Sequence, residues 1–374
     1  MKILQVTSVF PPRIGGLEKC VYNISKGLVG EGHQTIVYTT NSPRSKTYEL
    51  KDGVVIHRIP VFITVFGAPI ALFLPYMIRE NVDLVHVHVP PVFGAISSIV
   101  FGKMKRVPVI VTFHNDTVAR ARWQNFLVRI YNVILNRLIL GKVNLITVPS
   151  QAYRLELKRR GIDENRLRTI NNGIELSTRK AFNVGKLKQQ LGLLGKEIVL
   201  FVGALEKRKG VEFLIKAFPK VKNKILNVKF LIVGNGSERI HLESLANDLK
   251  ASGDILFTGH VTDEHLEVFY QICDVFVLPS LYETFGIVLL EAMAHRKPII
   301  ATRILGVSEL VNSGFNGILV EPRNSEQLSE AIIQVLSEED YANRLGMNGE
   351  RFSKKFEWKT AVSRYVDVYK ECLR

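Results

Sequence analysis

Short runs of β-branched and apolar residues recur along the chain, each followed by a longer stretch with apolar residues at helical spacing. This alternation constrains the fold more than any other feature. The runs are KILQVTSV, TIVYTT, LVHVHV, VIVTFH and LITVPS in the first half, then EIVLFVG, KFLIVG, ILFTGH, VFVLPS and PIIAT in the second. Nearly continuous apolar strands lack the polar alternation of a sheet with one wet face, so they belong to parallel sheets covered by helices on both sides. The fold class is therefore α/β. Open parallel sheets place ligands at the carboxyl ends of their strands, and Gly15, His114, Gly203, Gly234, Gly259 and Ser280 all fall at or just after the end of a run.

At 374 residues the chain exceeds what one hydrophobic core usually organises, which points to two domains. The first strand pattern stops at TINNGIELSTRKAFN and a new one starts at Glu197, so the linker falls near residues 172–190. The expected division is 1–175 and 176–355, with a terminal helix over 356–374 read from the helical spacing of FEWKTAVSRYVDVYKECL.

The net charge of +15 is unevenly spread: residues 1–175 hold 23 Lys and Arg against 11 Asp and Glu, and the remainder 27 against 24. A basic first half suggests an anionic partner there, a lipid headgroup surface or a phosphorylated substrate, beside the plainer reading of a solvated basic face. Cysteines stand only at 20, 273 and 372, without a CxxC pair, so neither a disulfide framework nor a zinc site is indicated and a cytoplasmic setting is expected. The stretch from Pro60 to Ile78 is apolar but broken by Pro60, Pro69 and Pro75. It reads as a buried strand and helix or a surface hydrophobic patch, not a membrane span. In ARARWQNFLVRIYNVILNRLILGK, Arg122, Asn125, Arg129, Asn132 and Asn136 share one stripe, compatible with an interfacial helix or with one packed on a sheet.

The strongest local signal is PSLYETFGIVLLEAMAHRKPII, a strand end, a glycine turn and an apolar helix. Glu283 precedes the helix and Glu291 lies inside it, so free N–H groups around Phe285, Gly286 and Ile287 could meet phosphate while the carboxylates meet sugar hydroxyls. An acidic residue at a helix start also occurs without any ligand. Glu291, between Leu290 and Ala292, requires a partner if buried.

This run resembles the paired-glutamate motif of glycosyltransferase family 4, the retaining group 1 enzymes, and the resemblance spans nearly the whole chain. It implies two facing Rossmann-like domains (the GT-B fold), with the terminal helix returning to the first. Gly15, Gly16 and Glu18 in PPRIGGLEKCVYNIS match the family's glycine loop near the donor pyrophosphate and the acceptor. His114 in VIVTFHNDT matches a polar group near the transferred sugar. In VGALEKRKGVEF, Lys209 matches the phosphate-clamping lysine, while the family's arginine position is occupied by Ala204 and Arg208 supplies a cation elsewhere in the loop. Asn235 and Gly236 in VGNGSER match the ribose site, and Gly259, His260 and Val261 in LFTGHV the backbone contacts to the base; ordinary strand-end turns would look the same. His86 and His88 share a face of VHVHV and read as a strand-end polar pair; no metal is expected, and the chain has no DxD triplet.

The implied activity is transfer of a hexose-type sugar from a nucleotide-diphosphate donor, a co-substrate and no cofactor, to a glycan or lipid-linked acceptor. The resemblance also implies retention and independence of metal. His114, Glu283, Arg208 and Lys209 would be catalytic, and the basic first half would allow peripheral contact with an anionic membrane at its inner face. A nucleotide-sugar epimerase on the same scaffold and a basic nucleic-acid-binding protein are the alternatives. The second is disfavoured because no sheet interleaves aromatic with basic residues, and no nucleic acid is expected as partner.

Overall fold

The computed structural model describes residues 1–13, 15–65, 68–89, 92–114, 139–176 and 184–374. It divides into two compact units, Met1–Gly173 together with Trp358–Arg374, and Ile174–Glu357.

In the first unit the strands are β1 (Lys2–Val6), β2 (Gln34–Thr40), β3 (Tyr48–Lys51), β4 (Val54–Ile59), β5 (Ile63–Val65), β6 (Ala68–Ile70), β7 (Leu84–Val89), β8 (Val109–Phe113), β9 (Leu145–Val148) and β10 (Leu167–Thr169). Eight of them form one sheet in the order β10-β9-β8-β7-β1-β2-β4-β3. Every neighbour is parallel except β3, which runs antiparallel to β4 at the edge. The exception to an all-parallel sheet has a local cause. Asp52 and Gly53 both take positive φ, 50° and 76°, and such a two-residue turn matches strand twist and closes a hairpin.

Helices α1 (Gly16–Gly30), α2 (Leu74–Met77), α3 (Val92–Lys105) and α4 (Gln151–Arg159) accompany this sheet. The two faces differ in what covers them. Val85, Val87 and Val89 of β7 enter one core with Phe73, Met77, Ala95 and Ile99. On the opposite face, Cys20, Ile24 and Leu28 of α1 meet Val362, Tyr365 and Tyr369 of the C-terminal helix (Trp358–Leu373). Each of the buried Val, Ile and Leu side chains contributes roughly 1.5–3 kcal/mol by leaving water, which accounts for the terminal helix crossing back to the first unit.

The apolar stretch after Ile59 takes the surface-patch form and not that of a buried strand, with Phe62, Ile63, Leu72, Tyr76 and Ile78 exposed. It folds into the antiparallel β5–β6 pair followed by the four-residue α2. Among the described residues no helix is long and apolar enough to cross a membrane. The striped segment 119–142 lies almost wholly outside the described residues, as does the part of the linker at 177–183.

The second unit carries β11 (Glu197–Val202), β12 (Val228–Val233), β13 (Ile255–Gly259), β14 (Val275–Leu278), β15 (Ile299–Thr302) and β16 (Ile318–Val320). Its helices are α5 (Val184–Gln190), α6 (Val211–Lys224), α7 (Arg239–Asp248), α8 (Asp263–Ile272), α9 (Ile287–Ala294), α10 (Leu305–Ser308), α11 (Ser325–Ser337) and α12 (Glu339–Ser353). The order β13-β12-β11-β14-β15-β16 is wholly parallel. It is the doubly wound Rossmann order, in which the connections diverge between β11 and β14 and leave a crevice at their carboxyl ends.

Candidate active site

Two loops leave the second sheet at that switch point, one after β11 and one after β14, and their backbones are tied together. The N–H groups of Leu281 and Tyr282 both donate to the Arg208 carbonyl, at 2.7 and 3.3 Å. Gly210, at φ 62°, makes the approach sterically feasible, because a Cβ there would lie 2.2 Å from the Pro279 oxygen. The short 3-10 turn Lys207–Lys209 thereby delivers an ammonium to a carboxylate: Lys209 Nζ donates to Glu283 Oε2. Both side chains are nearly enclosed, 11% and 12% exposed.

Burial alone pushes the Glu283 carboxyl up. The Lys209 charge and hydrogen bond, the Arg208 guanidinium and the Thr284 N–H together outweigh it, so the pKa lies below the usual carboxylate value. Arg208 donates through Nε to Glu206 Oε2 at 2.7 Å. Arg208, Lys209 and Glu283 are thus one electrostatic cluster, assembled from two of the segments that sequence motifs singled out.

The helix start beside this cluster also takes the expected form. Gly286 caps α9 in the left-handed region, at φ 87°, without any side-chain cap, which leaves the first N–H groups of the helix for a ligand or water. Phe285 is buried, its ring 6.0 Å from that of Phe356, and Ile287 is half-buried. One turn on, Glu291 has the partner its position demands: Tyr270 Oη, from α8, donates to Glu291 Oε2 at 2.9 Å. Tyr270 stacks on His295 with centroids 5.3 Å apart, and His295 Nε2 lies 2.9 Å from a Glu267 carboxylate oxygen. Sequence reading missed Tyr270, because within DEHLEVFYQI it looks like one more core residue.

The β12 and β13 exits present mainly backbone. At Gly234, φ 131°, a Cβ would sit 1.9 Å from the Gly203 oxygen. The Leu205 N–H donates to the Asn235 carbonyl at 3.0 Å and the Gly234 N–H to the Gly259 carbonyl at 2.9 Å. These bonds lace the ends of β11, β12 and β13 side by side. Asn235, Gly236 and His260 are exposed and Val261 is half-buried.

In the first unit, Gly15 and Gly16 open α1 and are both exposed, and a Cβ at Gly16 would meet nothing within 4 Å. Glu18 is buried behind them, with Arg13 Nε 3.1 Å from its Oε1; burial raises its pKa against its own N–H and Arg13. His114 directly follows β8, and its N–H donates to the Val89 carbonyl at 3.1 Å. His114 Nε2 lies 3.0 Å from His88 Nδ1, and His88 Nε2 meets Gln5 Oε1. His86 Nε2 lies 2.6 Å from Thr112 Oγ1 and its Nδ1 2.7 Å from Tyr369 Oη. Burial keeps these imidazoles neutral, pushing His86 and His114 down to about 3 and His88 well below its ordinary value. The strand-end polar pair is therefore hydrogen-bonded within the sheet.

Comparison with known proteins matches both units. Residues 14–178 match the glycosyltransferase family 4 profile, and residues 184–352 match the profile for glycosyl transferases group 1. An uncharacterized glycosyltransferase of Methanocaldococcus jannaschii is 29% identical over 392 residues, covering 99% of this chain and 98% of that protein. The alpha-monoglucosyldiacylglycerol synthase of Acholeplasma laidlawii is 26% identical over 394 residues, covering 98% and 97%. Anabaena HepE, solved in complex with UDP and glucose, superposes with a TM-score of 0.81 at 20% identity, covering 99% of this chain and 100% of that one. With the Lys209–Glu283 cluster at the switch point of a Rossmann sheet, these matches identify the chain as a GT-B glycosyltransferase belonging to the group 1 glycosyltransferases of family 4.

Proposed function

We propose that this enzyme transfers a hexose from a nucleotide-diphosphate donor to a glycan or lipid-linked acceptor, with retention at the anomeric carbon and without a divalent metal. The observation that carries the reading is the enclosed Lys209–Glu283 pair at the β11/β14 switch point. An ammonium has three donors, so Lys209 can hold Glu283 and still meet a phosphate oxygen. With Arg208 and the α9 N-terminus it supplies fixed positive charge where the leaving diphosphate gathers negative charge. Glu283, kept ionised, accepts from sugar hydroxyls, and Glu291, oriented by Tyr270, accepts from the ribose. In the first unit, His114 and the Gly15–Gly16 backbone are the candidate substrate-binding groups.

A double displacement would need a carboxylate free to bond the anomeric carbon. Glu283 is engaged by Lys209 and Thr284, and Glu291 by Tyr270; a front-face path, with donor phosphate as base, fits these two better. The UDP and glucose held by the Anabaena protein favour a UDP-hexose as the first donor to test. The diacylglycerol glycoside in the name of the Acholeplasma relative favours a lipid acceptor, reached from the inner, cytoplasmic face of an anionic membrane through the basic first unit. The family assignment replaces the epimerase and nucleic-acid readings. A thermal-shift panel of UDP-, GDP- and ADP-sugars tests the donor: a ligand at a hundredfold excess over Kd adds about 2.7 kcal/mol. Absence of any shift contradicts the reading, and an inverted product by NMR removes the retaining path.

A further inference from the structure

Helix α3 is apolar on two opposite faces, and among the described residues only one of them is buried. Gly94, Ala95, Ser98, Ile99 and Phe101 are buried against the sheet. Phe93, Ile96, Val100 and Met104 are 38–55% exposed. At about 100° per residue these four fall within an arc of roughly 80°, centred opposite the buried face. An amphipathic surface helix would carry polar residues there. Helix α2 packs against α3 and also exposes large apolar side chains, Leu72, Tyr76 and Ile78 around its ends, while Phe62 before β5 is 81% exposed.

The charge in these segments has one sign. From Pro60 to Arg79 and from Leu84 to Asn115 the chain contains no Asp or Glu. Its cations there include Arg79, Lys103, Lys105 and Arg106, all exposed. Lys103 borders the apolar arc and Lys105 and Arg106 end the helix. A protein partner is ordinarily met by an apolar core with a mixed polar rim. The two acids between these segments, Glu80 and Asp83, are both hydrogen-bonded to Lys2, so the charge left beside the apolar face of α3 is that of Lys103, Lys105 and Arg106. This matches a bilayer, whose acyl boundary takes the apolar side chains and whose anionic headgroups take Lys and Arg.

We infer that the outward face of α3, continued by α2 and Phe62, is the surface by which the enzyme docks on an anionic bilayer. This rests on the proposed membrane-borne acceptor and locates how that acceptor is reached. Phe93 stands four residues beyond Val89, and Val89 accepts the His114 N–H; the stripe therefore starts at the sheet edge that carries His114, so a lipid headgroup enters beside the site.

The test is flotation of the full chain with phosphatidylcholine vesicles and with vesicles containing phosphatidylglycerol. Wild-type protein is expected on the anionic vesicles, with binding falling as salt rises. Ile96→Glu/Val100→Glu is expected to lower it at least tenfold, and Lys103→Glu/Lys105→Glu to lower it and flatten the salt dependence. Unchanged circular dichroism and UDP thermal shift establish that each variant is folded and binds donor. Wild-type protein that stays off anionic vesicles overturns the inference, as does equal binding by Ile96→Glu/Val100→Glu. So does a wild-type dimer that this variant converts to monomer, since the face would then be a self-interface. Vesicle binding without any nucleotide-sugar shift would leave the docking surface standing and sink the transferase donor reading.

Discussion

His88 and His114 lie 3.0 Å apart, Nδ1 to Nε2, and the far side of His88 meets Gln5 Oε1. An amide oxygen only accepts, so His88 carries its proton on Nε2 and its Nδ1 accepts from His114 Nε2–H. Gln5, at the core of β1, thereby sets the tautomer of His88 and through it that of His114, whose Nδ1 is left as an acceptor. In histidine-labelled protein, 15N shifts are expected to report a protonated Nε2 and a bare Nδ1 at His114. The opposite pattern would mean that the Gln5 amide is turned around and the relay reversed.

His86, His88 and His114 make the first unit sensitive to acid. Their folded pKa values are depressed by burial, to about 3 for His86 and His114, whereas an unfolded histidine titrates near 6.5. Above that value neither state binds the proton; below it only the unfolded state does, so stability falls as pH falls from about 6.5 toward 3. At pH 5 each histidine removes about 2 kcal/mol, a large share of a total near 5–15 kcal/mol. Trp358 belongs to the first unit. Denaturant curves read by tryptophan fluorescence at pH 7 and pH 5 should show this loss, and His86→Gln should reduce the difference. Curves that coincide at the two pH values would contradict it.

Lys209 and Glu283 can be separated from their structural role by a double substitution. Lys209→Met leaves a nearly enclosed carboxylate without its main counter-charge and is expected to cost about 3 kcal/mol of stability. Adding Glu283→Gln removes that charge and should restore most of the stability, while kcat/KM stays at least about a hundredfold low because transition-state donors are gone. Since the pKa of Glu283 is lowered, its contribution is present above the unfolded carboxylate pKa and lost only as pH falls through the lower folded value. The wild-type rate should therefore show no Glu283 titration between about pH 5 and 9. Activity recovering along with stability would assign the pair to structure alone.

Tyr270→Phe removes one hydroxyl and one 2.9 Å hydrogen bond to Glu291 while keeping the ring stacked on His295. If Glu291 binds the ribose, the loss belongs to donor binding: at about 1.5 kcal/mol, the low end for a hydrogen bond to a charged group, KM for the nucleotide sugar should rise roughly tenfold, with kcat nearly unchanged. A fall in kcat at constant KM would move Glu291 to the chemical step.

What could be read from the chain without coordinates follows the range of the interaction concerned. Strand runs and the helix start at Gly286 are local, so fold class and α9 were legible. The hairpin at Asp52–Gly53 was legible too, because Asp-Gly between apolar runs signals a two-residue turn, but the reading of a purely parallel sheet passed over it. Lys209 and Glu283 were each visible as motif residues. Their contact spans 74 positions and depends on Gly210 admitting the Pro279 carbonyl, which no local pattern encodes. Tyr270 and Gln5 were invisible for the same reason. Each acts on a site residue through one hydrogen bond made by a distant element, and in the linear chain it sits among core residues.

Arg208 poses the sharpest remaining question, because Ala204 occupies the position where the family pattern has arginine. The Arg208 carbonyl holds Leu281 and Tyr282, and that bond survives any side-chain change. Arg208→Ala therefore deletes the guanidinium without untying the two loops, and its effect isolates the charge. The Arg208 side chain is three-quarters buried, already held by Glu206, and close enough to Glu283 to lower its pKa. If it meets the donor diphosphate, a charge-assisted contact of about 1.5–3 kcal/mol is lost, and kcat/KM for the donor should fall by roughly 10- to 100-fold. Arg208→Lys should recover only part, since an ammonium cannot grip two phosphate oxygens as the planar fork does. The combination Ala204→Arg/Arg208→Ala asks whether the charge can return by the other route. Recovery there would show that the loop needs one guanidinium from either position, and no recovery that Glu206 has fitted this site to Arg208 alone. Wild-type kinetics for Arg208→Ala would instead confine the residue to its pairing with Glu206.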